Sequence, residues 1–187
     1  MSEERCRGFA RSFRLPWGEL HPVPQQSMAA PMFEFVADQF GEDGSRLRSF
    51  YCVAYEGGEL PPLPWGDERF DCVLVVADPH RVQTLGGAFA EAIVRCNVDY
   101  VQTTGEHAEF VHDRIDWASV AAGVQDAVGD GHPMTSWHED ARTLDAMGEV
   151  AALCLGGHDW VLCAFVGRDV DRRTFVEGLR RRLASGE

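Results

Sequence analysis

Phe70-Asp71-Cys72-Val73-Leu74-Val75-Val76-Ala77-Asp78-Pro79-His80 is the stretch on which the fold turns. Its first seven residues form a continuous run rich in apolar and β-branched side chains, the pattern of a strand covered on both faces. Asp78 followed by Pro79 predicts a helix start, with a side-chain acceptor at the cap and then a ring whose φ is already helical. Val82, Leu85, Phe89 and Ile93 follow at spacings of three and four, one apolar stripe of a helix that Asn97 can end. Gly86 and Gly87 either let that helix lie close to the sheet or weaken it. Val98 to Thr104 then reads as a second strand, so Phe70 to Thr104 is a strand–helix–strand unit.

Trp160 to Val166 is another continuous apolar strand, and residues 168–184 hold a last helix with Phe175, Leu179 and Leu183 inward. Its Arg180, Arg181 and Arg182 fall in the final turns, where cations meet the negative helix end. After Thr104, Thr103 and Glu106 have capping-box spacing, with Ala108, Val111, Ile115 and Ala118 as the inward stripe. Gln125 to Met134 reads as loop. Ser136 and Glu139 form a second capping box, with Leu144, Met147, Ala151 and Cys154 as its stripe, closed by Gly156 and Gly157. Toward the N-terminus, Ser49 to Glu56 is a strand. Pro31 opens a helix with Phe33, Val36 and Phe40 on one face, although Phe33 to Val36 also suits a strand.

The segment between Gly57 and Arg69 is rich in Gly and Pro and too irregular for a helix, so the strands flanking it are expected to be antiparallel neighbours. It contains Leu-Pro-Trp-Gly at residues 63–66, a tetrapeptide also found at 15–18. Each copy is expected to set a Trp over a thinly covered edge of the core. Residues 1–30 carry four Arg and three Pro with no period and read as an irregular, basic N-terminal arm. The result is an α/β fold. Residues 31–187 are expected to form a single three-layer α/β/α domain, with a mainly parallel central sheet, an antiparallel strand and helices on both faces.

The formal net charge of −13 argues against a nucleic-acid backbone or an anionic membrane as partner and suits a basic protein partner or plain solubility. All 17 basic residues are Arg, which points to the codon bias of a GC-rich bacterial genome. Six Cys occur without a C-x-x-C pair or metal-type spacing, and Cys52, Cys72, Cys154 and Cys163 lie in apolar runs as small buried hydrophobes. No charged-then-apolar leader opens the sequence and no apolar run reaches spanning length, so the expected setting is a reducing cytoplasm.

In open α/β sheets, ligands bind outside the carboxyl ends of the strands. Those ends carry Asp78 and His80, then Thr103, Thr104, Glu106 and His107, then Arg168, with Trp137 and His138 joining if the intervening chain returns to that edge. Such a set mixes acids, imidazoles and hydroxyls around helix N-termini, which favour anions; Asp and Thr there are also what helix caps require. Glu109 and His112 have Glu-x-x-His spacing, but no second such pair occurs, so a solvated acidic face is the better reading. His132 and His138 flank Trp137 and suit either acid–base chemistry or a surface loop. No nucleophile-elbow, Walker, dinucleotide or H-E-x-x-H motif is present, and neither a cofactor nor a metal is expected. The reading that follows is a cytoplasmic bacterial binding protein without catalysis of its own, neutralising a basic protein as immunity or antitoxin-like proteins do. The alternative is an enzyme or sensor taking a small anionic ligand at the carboxyl edge.

Overall fold

In the computed structural model, which describes residues 33–122 and 133–185, the apolar run at the centre of the sequence is also at the centre of the sheet. Ten elements follow one another: β1 (Glu34–Phe40), β2 (Arg46–Ala54), β3 (Phe70–Val76), α1 (Pro79–Ile93), β4 (Val98–Gly105), α2 (Ala108–Ala121), β5 (Met134–His138), α3 (Leu144–Ala152), β6 (Trp160–Val166) and α4 (Asp169–Ser185). The strands form a single six-stranded sheet in the order β1-β2-β6-β3-β4-β5. Only β1 runs antiparallel, against β2; every other pair is parallel.

Side chains alternate across the sheet and feed two cores. One face packs Val73, Val75, Cys163 and Phe165 against Met147 and Ala151 of α3 and Phe175 and Leu179 of α4. The other packs Cys72, Leu74, Val76 and Leu162 against Val82, Phe89 and Ile93 of α1 and Val111 and Ile115 of α2. As expected for adjacent central strands, Val73, Leu74, Val75, Val76, Leu162, Ala164 and Phe165 are all at most 1% exposed.

Residues 34–40 are a strand and not a helix: Phe33, Val36 and Phe40 mimic helical spacing, but register shifts at Phe35/Ala37 and Gln39/Phe40 break the simple alternation. The strands flanking the Gly/Pro segment are not neighbours, because β6 lies between β2 and β3 and pairs in parallel with both. That crossover carries no helix. Trp65 does its work instead, buried in the core and stacked on Trp160 at 5.7 Å, with Phe70 and Tyr51 at 5.4 Å. The Trp of the second Leu-Pro-Trp-Gly copy is thus part of the core itself; the first copy, the N-terminal arm, residues 125–132 of the expected loop and His132 lie outside the described residues.

Neither capping box forms. Thr103 is inside β4, and α2 is preceded by His107 at φ 67° with no side-chain cap bond. Ser136 lies in β5, a strand not anticipated, and α3 starts later, capped by Thr143, whose hydroxyl accepts the Ala146 N–H at 3.1 Å. Gly86 brings α1 close to α2 and not to the sheet, since a Cβ there would sit 3.3 Å from Phe110 and Val111. The terminal Arg residues of α4 reach other elements: Arg180 donates to the Val36 and Phe35 carbonyls of β1, and Arg182 pairs with Asp145 and Glu149 of α3.

Candidate functional site

The order of the strands places the topological switch point between β3 and β6. From β3 the chain moves outward through β4 to β5 with α1 and α2 on one face, then returns through α3 to β6 on the other side of β3. A crevice opens where the following loops diverge, here Ala77-Asp78 after β3 and Gly167-Arg168 after β6. It is closed by the protein's own groups. The Ala77 and Asp78 N–H groups both donate to the Val166 carbonyl, at 2.9 and 3.0 Å. Arg81 reaches across from the first turn of α1, donating to the Gly167 carbonyl at 3.1 Å and pairing with Glu56.

Asp78 is a helix cap. Its Oδ1 accepts the His80 and Arg81 N–H groups at 3.1 and 3.3 Å, two of the donors an anion at this helix end would use. His80 is exposed beside it. Arg168, across the switch point, donates to Asp171 from Nε at 2.7 Å and from a terminal nitrogen at 2.9 Å. That bond raises Arg168 above the ordinary arginine value and holds Asp171 below the ordinary carboxylate range. Asp169, at the start of α4, is likewise lowered by its hydrogen bonds from Arg173 and Arg172.

Four of the remaining candidates fall into two further groups, separated by the sheet. Thr103 and Trp137 are register partners on the α2 side. The Thr103 hydroxyl is buried and donates toward the Ala108 carbonyl at 3.0 Å and the Ser136 carbonyl at 3.2 Å, a staple between α2 and β5. Trp137 packs on His112 of α2 with centroids 4.4 Å apart. Thr104 and His138 are register partners on the opposite face; the Thr104 hydroxyl is fully buried and has no partner among the described residues. Glu106 is exposed and His107 half-buried in the left-handed turn into α2. That turn is tight, because Gly105 (φ 105°) approaches β3 so closely that a Cβ would lie 2.3 Å from the Val76 carbonyl oxygen. The nine candidates therefore share one edge of the sheet without converging on one spot. A surface groove of about 570 Å³ lies away from them and separates α1 from α2, between Glu91 and Arg95 on one wall and Arg114 and Trp117 on the other.

A denser polar cluster, not anticipated, occupies the amino edge. Asp71 is fully buried at the start of β3, where its Oδ2 accepts the His158 N–H at 3.0 Å and its Oδ1 has no partner among the described residues. The His158 ring lies 2.6 Å from Asp99, and Arg69 pairs with both Asp99 oxygens at 2.9 Å. Arg48 of β2 donates to the Cys154 carbonyl at 2.5 Å and to that of Gly156. Burial, the largest influence, raises the Asp71 carboxyl above its ordinary value against the opposing His158 N–H bond. The cluster locks the loop between α3 and β6 onto the sheet. Burial pushes its Cys154 thiol up to about 11, far from a reactive thiolate. Among the described residues no group of His, Cys, Asp and Glu is placed to hold a metal ion, and no helix is long and apolar enough to cross a membrane.

Residues 50–154, more than half of the chain, match the family described as Domain of unknown function (DUF7684). The chain belongs to that family. The matched region of this DUF7684 member runs from β2 through the end of α3 and so contains the switch-point strand β3, both α1 and α2, and the β5 edge. No curated protein matches the chain.

Proposed function

We propose that this protein is a non-catalytic binding protein whose acidic surface takes a basic protein partner, as an immunity or antitoxin-like protein does. The observation that carries this reading is the state of the carboxyl edge. The groups a small anion would need there are engaged internally: the α1 donors by Asp78, Arg81 by Glu56 and Gly167, Arg168 by Asp171. A small anionic ligand would have to displace a covalently tethered carboxylate at each of them. The net charge of −13 supports a partner of opposite sign, recruited by long-range attraction.

The test is affinity capture from the protein's own cells with the full chain as bait, then rebinding of the purified partner. A protein of net positive charge that rebinds, with affinity falling as salt rises, is the expected result. Recovery of a small phosphorylated or carboxylated metabolite by native mass spectrometry, with no protein that rebinds, overturns the reading.

A further inference from the structure

The two edges of the sheet are built differently, and the difference points to where the partner binds. Edge strands expose unpaired N–H and C=O groups that will pair with another chain unless they are blunted. β1 is blunted twice: register shifts interrupt it, and Arg180 donates to its Val36 and Phe35 carbonyls at 2.8 and 3.2 Å, beside the Arg172–Glu34 pair at 2.6 Å. β5 has none of these devices among the described residues. It runs in unbroken register with β4 as the last strand, and it presents Met134 at 70% and Trp137 at 45% exposure.

What lies beside β5 is acidic. Thr135 and Trp137 point to the α2 side, where Thr135 donates to Asp116 at 3.2 Å and Trp137 packs on His112. His112 in turn lies 3.3 Å from Asp113 and 3.8 Å from Asp116, and exposed Glu109 is one turn before Asp113. The cation of this helix, Arg114, turns away over the Phe110 ring toward α1. On the other side of the strand, Ser136 bonds Tyr100 at 2.6 Å, and Met134 shares that side by alternation.

We propose that β5 accepts an extended segment of the basic partner as a seventh strand, with Arg or Lys at alternate positions facing Glu109, Asp113 and Asp116 and apolar residues between them. Backbone pairing along β5 supplies affinity. The acidic flank of α2 and the Trp137 ring read the alternate cations, and Met134 meets the apolar positions. This inference rests on the protein-partner reading and adds the surface and the sequence pattern that it recognises.

The experiment uses the full chain, isotope-labelled, and a synthetic octapeptide, blocked at both ends, in which arginine and valine alternate. Shifts at residues 134–138 and in α2, with slowed hydrogen exchange at alternate β5 amides, are expected. A block peptide of the same composition, with all its arginines before all its valines, should give no such alternate protection. The double variant Glu109→Arg, Asp113→Arg should weaken binding by about tenfold or more, whereas Glu59→Arg, Glu177→Arg, with the same net charge, should not. Equal loss in both variants, or equal protection by the block peptide, overturns the proposal in favour of charge attraction alone. β5 amides already protected in the free chain and released in an Arg5, Arg7, Arg11, Arg14→Ser variant would identify the chain's own arm as the occupant and also overturn it. Concentration-dependent protection without peptide would do the same in favour of a second copy. A purified partner that rebinds while leaving β5 unprotected removes this surface and leaves the protein-partner reading standing; the absence of any rebinding protein removes that reading itself.

Discussion

Replacing Gly105 by Ala tests the packing of the carboxyl edge more sharply than any charge change. Gly105 ends β4 at φ 105°, a conformation L side chains rarely adopt, and its missing side chain faces the adjacent strand. A Cβ there would lie 2.3 Å from the Val76 carbonyl oxygen and 3.0 Å from the Met147 methyl. The methyl group can move, but the carbonyl is backbone in the central strand and cannot yield without opening the β3–β4 ladder. Backbone strain costs about 1–3 kcal/mol and overpacking about as much again. The sum, about 2–6 kcal/mol, is a large part of the roughly 5–15 kcal/mol that holds a domain together. The control is Gly178→Ala in α4, where a Cβ meets nothing within 4 Å. Removing a helical glycine there should stabilise by about 0.5–1 kcal/mol. Urea unfolding of both variants, followed by circular dichroism, gives the comparison. Gly105→Ala within about 1 kcal/mol of wild type would refute the close approach of β4 to β3, and destabilisation by Gly178→Ala would refute the open space on α4.

Three further outcomes are expected. Val75→Asp puts an unpaired charge between α3, α4 and the sheet, so soluble expression should be lost; a soluble, cooperatively folding variant would contradict burial on both faces. Because the folded pKa of Asp71 is raised, its neutral form is favoured in the fold and its contribution to stability fades as pH climbs from the ordinary aspartate range, near 4, through that raised value. Asp71→Asn should therefore gain stability relative to wild type as pH rises above about 4 in parallel urea titrations, and a constant offset would dispose of the argument. Native thiol labelling should modify Cys96 well before Cys52, Cys72, Cys154 and Cys163, which are buried and whose thiols burial pushes upward, Cys52 to about 12; simultaneous labelling of all five would refute it.

The parts of the fold that were legible are those whose signals are local. β3 and β6 read as buried strands because each is continuously apolar, and α1 was marked by Asp78 and Pro79, which sit where a cap and first turn require. β1 misled because Phe33, Val36 and Phe40 repeat at three and four residues, while the register shifts that explain the spacing depend on β2. β5 escaped because Met-Thr-Ser-Trp-His is short, half-exposed and adjacent to Gly and Pro, all of which resemble loop. Strand order was not legible: nothing near residues 50–76 announces that residues 160–166 will lie between them. The same distance hid the amino-edge cluster, in which Asp71 and His158 are 87 residues apart and His158 and Asp99 are 59 apart. At the carboxyl edge the residue types were legible but not their duties, since Thr103 reads as a cap and serves as a staple.

The place of β6 between β2 and β3 also sets the order in which the molecule can be made. While the polypeptide is being synthesised, β1–β2 and β3–β4–β5 can pair as two separate ribbons, each with an apolar inner margin and no neighbour. Only when residues 160–166 emerge does a strand exist that can join them, and α4 must follow to cover the seam. Closure of the sheet therefore waits for residues 160–166 and depends on contacts distant in sequence, which slow folding. The nascent protein is most prone to sticking to other chains before those residues have left the ribosome. A stop codon before residue 160 would delete the keystone of the sheet, leaving two halves with nothing to hold them together.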